Sequence, residues 1–108
     1  MSDTARKVLG VLEHHRGEAE AIKARAIALR VGLFRAHGEK RISDAVTELR
    51  REHGFLIAGG PTGYYMAVTE NERRAIIEDL DSRIAGLART RRAIAQRHPE
   101  YAQLALEV

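Results

Sequence analysis

Residues 48–67 read ELRREHGFLIAGGPTGYYMA, and this stretch decides the fold of the 108-residue chain. Its charged opening is the end of a helix, which Gly54 stops. Two short β-prone runs follow, Phe55–Ala58 and Tyr64–Val68, and they flank Gly59-Gly60-Pro61-Thr62-Gly63. Proline fixes φ at a turn position and glycine permits positive φ, so the stretch predicts a β-hairpin. Phe55, Tyr64 and Tyr65 are three of the chain's five aromatic residues, and at least one of the tyrosines is expected to pack in the core. The glycines read as turn glycines. No helix or lysine follows them at phosphate-loop spacing, so they do not predict a nucleotide cradle.

Upstream, the helix runs from about Glu39 to His53. Ile42, Ala45, Val46 and Leu49 form its apolar stripe, and Lys40, Asp44, Thr47 and Arg51 form the opposite one. Two earlier helices are predicted. One spans about Thr4 to His15, with Ala5, Val8, Leu9 and Leu12 on one face; Ser2, Asp3 or Thr4 caps it and Gly17 ends it. The other spans about Ala21 to Val31, with Ile22, Ala26 and Leu29 inward and Gly32 as its stop. Downstream, Thr69-Glu70-Asn71-Glu72 is a capping box. It opens a helix that should reach about His98, before Pro99, and measure roughly 40 Å at 1.5 Å per residue. The closing YAQLALEV reads as a loose tail or a short packing arm.

The expected class is mainly α with a small β element (α+β). Residues 1–68 would form a three-helix domain with a hairpin, 69–98 a long C-terminal helix and 99–108 a tail. This order resembles the winged helix-turn-helix DNA-binding domain. AIKARAIALRVG, residues 21–32, looks like its second helix. Leu49-Arg50, Gly54, Phe55, Ile57 and Gly63-Tyr64 are similar to the recognition-helix end and wing of biotin-repressor-type domains and of small phage-encoded winged-helix proteins. The likeness covers roughly residues 5 to 68. One departure stands out: LFRAHGEKR, residues 33–41, holds about five residues more than the compact pattern. It must form a longer turn or extend the third helix backward.

The resemblance implies a helix in the major groove of duplex DNA. Residues 21–38 carry Lys23, Arg25, Arg30 and Arg35 and no acid, which suits a helix crossing the phosphate backbone. On the third helix, Lys40, Ser43, Asp44 and Thr47 are the expected base readers, and Arg41 and Arg51 add charge. Thr62 and the glycine amides of the wing would approach a phosphate. Asp44 and Glu48 repel phosphate, which favours selective reading or speaks against DNA. The bland alternative is that these side chains form a solvated face.

Composition narrows the other classes. Seventeen alanines stand beside thirty-one larger apolar residues, so the core is small and a partner surface would help stability. There is no cysteine, which excludes disulfides and thiolate chemistry. No apolar run approaches membrane-spanning length and MSDTARK lacks a signal-peptide core, so the expected location is cytoplasmic, without a membrane. The net charge of +3 and a pI of about 9.7 lean toward a polyanionic partner. His14, His15, His37, His53 and His98 lack ligand spacing, and no nucleophile–base arrangement can be traced. Hence no metal, cofactor, effector or enzymatic activity is expected.

Along the last helix, Ile77, Leu80, Ile84, Leu87, Arg91 and Ile94 are spaced 3, 4, 3, 4, 3. That is a coiled-coil seam. Residues 70–81 are mostly acidic, and 82–98 carry Arg83, Arg89, Arg91, Arg92 and Arg97 with no acid. The split predicts a homodimer through this helix with the two helices antiparallel, Arg91 reaching Asp79 or Glu78 of a partner. The alternative is folding back over the first helix. The leading functional expectation is a small double-stranded-DNA-binding protein: a transcriptional regulator or a phage or mobile-element accessory factor. Its rival is a winged-helix protein-interaction module that docks through the last helix.

Overall fold

The computed structural model describes residues 1–34 and 37–101. Contacts divide the chain into one unit of residues 1–76 and another beginning at Ile77. The first unit contains α1 (Asp3–Leu12), α2 (Ala24–Arg30), α3 (Gly38–His53), β1 (Ile57–Gly60), β2 (Gly63–Met66) and the opening turns of α4 (Glu70–Arg97). The fold is therefore mainly helical with one two-stranded antiparallel sheet. Among the described residues no helix is long and apolar enough to cross a membrane.

The core forms where the apolar stripes of three helices meet under the hairpin. Val8 and Leu12 of α1, Ile27 of α2, Ile42, Val46 and Leu49 of α3, and Ile57 of β1 are all inaccessible to solvent or nearly so. The stripe of α3 is thus the one its periodicity predicts. Ser2 caps α1, its hydroxyl accepting from the Ala5 amide at 3.1 Å. Gly54 ends α3 at φ 68°, and its amide and that of Phe55 donate back to the carbonyls of Arg50 and Leu49.

Two helices are shorter than their local signals predict, for one reason. The chain between α1 and α2 lies alongside β2. The Met66 amide donates to the His15 carbonyl at 2.9 Å, and the Gly17 amide donates to the Met66 carbonyl at 2.8 Å. Ile22 and Tyr64 exchange both hydrogen bonds, at 2.9 and 2.8 Å. These pairings keep residues 15–22 out of α1 and α2, leaving only a single short 3-10 turn at Glu18–Glu20. Ile22 is buried from extended backbone, the inward face of α2 becomes Ile27 and Ala28, and Leu29 is exposed rather than packed.

The hairpin is tighter than expected. Its strands occupy 57–60 and 63–66, with Gly60 paired to Gly63 across Pro61-Thr62. Gly59 and Gly60 are strand residues. Among the hairpin's glycines only Gly63 has positive φ, at 119°, and a Cβ there would collide with the Ile22 carbonyl. Gly38 meets a similar demand at the start of α3, where a Cβ would lie 2.8 Å from the Leu33 carbonyl oxygen. α3 itself begins at Gly38, one residue before its predicted start.

The capping box forms as predicted. Thr69 Oγ1 accepts from the Glu72 amide at 3.1 Å, and Glu72 Oε1 accepts from the Thr69 amide at 3.1 Å. Glu72 does more than the motif requires: it also accepts from the amides of Val68 (2.9 Å) and Glu18 (2.8 Å). These amides hold its carboxyl below the usual carboxylate value, Val68 contributing most. The second unit, taken by itself, continues α4 to Arg97, and a short turn at Pro99–Tyr101 follows. The expected tail is described only as far as Tyr101.

Candidate nucleic-acid interface

α3 presents its polar stripe outward. Lys40, Asp44 and Arg51 are exposed and Thr47 is half-buried. At 1.5 Å per residue these four positions span about 16 Å of one helix face. Ser43 borders the stripe on one side, and Arg41 lies about a quarter-turn off it on the other. Lys40 Nζ and Asp44 Oδ2 form an ion pair at 3.1 Å, with both side chains largely exposed. The proposed readers therefore begin as a mutually satisfied pair on the surface.

Two residues of α3 that flank the stripe have structural partners. Glu48 accepts from the Ser2 amide at 2.8 Å, and the Ser2 amide and hydroxyl hold its carboxyl below the usual range. Arg50 donates from Nε (2.9 Å) and Nη2 (2.6 Å) to the Ile57 carbonyl. That pair of hydrogen bonds ties the C-terminal end of α3 to the first hairpin strand. The sequence marks Arg50 as part of a Leu-Arg signature and as one of the third helix's cations, not as a link to the hairpin. Thr62 is exposed at the hairpin tip. Tyr64 packs on the core and over Gly59. Tyr65 sits near Glu18 and Glu72, and partial desolvation followed by those two charges raises its phenol.

The cations of α2 do not gather on one ridge. Lys23 precedes the helix as its cap residue, and Lys23, Arg25 and Arg30 are all exposed. Arg25 and Arg30 are five residues apart, which turns them about 140° from each other round the helix. Arg30 faces α1 instead. Its Nη1 donates to His15 Nε2 at 2.9 Å, and His15 Nδ1 lies 2.7 Å from the Glu20 carbonyl. For Nε2 to accept, the ring proton must sit on Nδ1 and point at Glu20. Arg35 lies outside the described residues.

Arg30 joins a different set of cations. With Lys7 and His14 it lines an open groove of about 670 Å³ floored by Gly10, Val11, Val31 and Gly32. Sequence reasoning missed Lys7 and His14 as a pair. The seven-residue spacing of Lys7 on α1 and His14 just past its end carried the signal, since it matches that of one helix face with Gly10 and Val11.

Charge is unevenly distributed. Residues 1–68 hold eleven lysines and arginines against eight acids, and residues 69–108 hold seven of each. The whole positive excess thus belongs to the part of the chain that carries α3. No described polar or charged side chain is buried, and among the described residues no three His, Asp or Glu side chains converge as a metal site would need. The chain matches no known protein-family profile, no curated protein and no solved structure.

Proposed function

We propose that residues 1–76 are a winged helix-turn-helix unit that binds double-stranded DNA with α3 in the major groove and the 57–66 hairpin as its wing. One observation carries this reading: α3 turns a polar stripe outward, exposed at Lys40, Asp44 and Arg51, beside a hairpin that Arg50 anchors to the same helix. The element order α1, a connection bridged to β2, α2, α3, hairpin supports it. So does the confinement of the net positive charge to residues 1–68.

In this reading Lys40, Asp44 and Thr47 meet base edges, with Ser43 beside them. Lysine donates to guanine, aspartate accepts from a cytosine amino group and threonine meets a thymine methyl. Lys23, Arg25, Arg41 and Arg51 neutralise phosphates, and Thr62 lies at the wing's approach to the backbone. Arg30 stands outside this set because it faces α1. The biological role is that of a small transcriptional regulator or a phage or mobile-element accessory factor acting as a dimer on two half-sites.

Fluorescence anisotropy with random-sequence and selected duplexes over a salt series tests the proposal. Four phosphate-neutralising cations predict a log–log salt slope of about −3.6. A duplex affinity indifferent to salt, or no binding at low salt, overturns it. Partner proteins that co-purify after nuclease treatment would favour the interaction-module reading.

A further inference from the structure

The second unit leaves a long apolar stripe in water. Ile77, Leu80, Ile84, Leu87 and Ile94 are all exposed, reaching 65% for Ile84 and 72% for Leu87, and no described residue of α4 is buried. Arg91 interrupts the stripe and is half-buried. On the same face Leu87, Thr90, Arg91, Ile94, Ala95 and Tyr101 line an open, mostly apolar groove of about 360 Å³. A surface of this kind calls for another helix.

The stripe is complementary to its own reverse. Placed antiparallel, with a twofold axis between Ala85 and Gly86, every seam residue of one helix meets a seam residue of the other. Ile77 lies against Ile94 of the second copy, Ile84 against Leu87 and Leu80 against Arg91. The second copy's Ile84, Leu80 and Ile77 then run along the groove. In an antiparallel pair, the flank beside the first seam position of each heptad faces the same flank of its neighbour. Arg91 therefore points toward the second copy's Asp81 and Glu78, and the small Ala88 and Ala95 on that flank leave room for its head.

Charge selects this orientation. Glu78, Asp79 and Asp81 lie at one end of the stripe; Arg89, Arg91, Arg92 and Arg97 lie at the other. A parallel, in-register pair would set Arg91 against Arg91 and acids against acids. Reversal sets each acidic end against a basic one. We propose that the chain self-associates through residues 77–94 of α4 as an antiparallel two-helix pair, with Arg91 bridging to Asp81 of the second copy. This inference rests on α4 alone and stands independently of the DNA reading.

Sedimentation equilibrium of the full chain, from micromolar to submillimolar concentration, tests the association. The expected result is a monomer–dimer equilibrium that Leu87→Glu or Ile84→Glu shifts to monomer, while the urea transition of the first unit is unmoved. Arg91→Glu or Asp81→Arg alone should raise the dissociation constant about tenfold. The double exchange should restore it. The natural absence of cysteine allows a single spin label at Gln96→Cys, an exposed position. Antiparallel pairing places the two labels about 30 Å apart along the axis, counted at 1.5 Å per residue. Labels side by side, a charge exchange that fails to restore pairing, or a chain monomeric at every concentration overturns the proposal.

Discussion

Arg50 of α3 donates two hydrogen bonds to the single carbonyl of Ile57, at 2.9 and 2.6 Å. Ile57 itself is fully buried. The guanidinium thus joins the helix proposed to read DNA to the strand that begins the wing, and it fixes the angle between them. Removing it leaves a partly buried carbonyl without that partner. Arg50→Ala should cost about 1.5–3 kcal/mol, the range for hydrogen bonds involving a charged group. Arg50→Lys should recover only part of the loss, because an ammonium lacks the planar two-donor fork. Urea denaturation of the variants measures both. A loss below about 0.5 kcal/mol, typical of a surface substitution, would show that the fork carries no weight.

Gly63 and Gly60 face each other in the hairpin register and predict opposite outcomes. Gly63 combines positive φ with a backbone approach from Ile22 that leaves no space for a Cβ. Gly63→Ala must therefore distort the turn or detach residues 15–22 from β2, at a cost of at least about 2 kcal/mol. Gly60 has open space around it, so Gly60→Ala should stay within about 0.5 kcal/mol of the parent. Thermal denaturation of the two variants side by side makes the comparison.

The features that were legible from the residues are those whose cause is local. Gly54 ends α3, Thr69 and Glu72 cap α4, and the apolar stripe of α3 faces inward, because each depends on neighbours within one or two helical turns. The segment from His15 to Ile22 was not legible. Its helical spacing is overridden by hydrogen bonds to Tyr64 and Met66, more than forty residues away, and nothing at residues 15–22 marks that partnership. The candidate site divides the same way. The outward stripe Lys40, Asp44, Thr47 and Arg51 follows from periodicity alone. The divergence of Arg25 from Arg30 follows from the same geometry, although an acid-free sequence suggests one ridge. The grouping of Arg30 with Lys7 and His14 needed the packing of α1 against α2.

Acid should loosen two clamps at once. Glu72 and Glu48 both titrate below the usual 4.5 in the folded chain, held down by backbone amides: Val68, Glu18 and Thr69 for Glu72, Ser2 for Glu48. A carboxyl whose folded value is depressed contributes stability that is complete above its unfolded value and is lost as pH falls through the folded value. The melting temperature should therefore hold steady above about pH 5.5 and decline below about pH 4.5. Glu72→Gln should lower stability at neutral pH, because one of the two carboxylate oxygens becomes a donor. It should also flatten the acid decline. A variant with the parent's acid profile would mean that Glu72 carries none of that dependence.

Substitutions at the Lys40–Asp44 ion pair and its neighbours separate an inserted α3 from a solvated helix face. If α3 enters the major groove, Asp44→Ala removes a negative charge facing the DNA and releases Lys40 from its partner. Affinity for random duplex should then rise while discrimination between duplexes falls. Arg51→Ala should do the reverse: weaken all duplexes alike and reduce the salt slope by about 1, as expected for one lost phosphate contact. Lys40→Ala should cost about 1–3 kcal/mol on a selected site and less on random DNA if it donates to a base. Arg30→Ala serves as the internal control, since Arg30 faces His15 and α1 and should leave binding unchanged. Anisotropy titrations on the same duplexes rank the four variants. Equal losses from Arg30→Ala and Arg51→Ala would point to diffuse surface charge rather than an inserted α3.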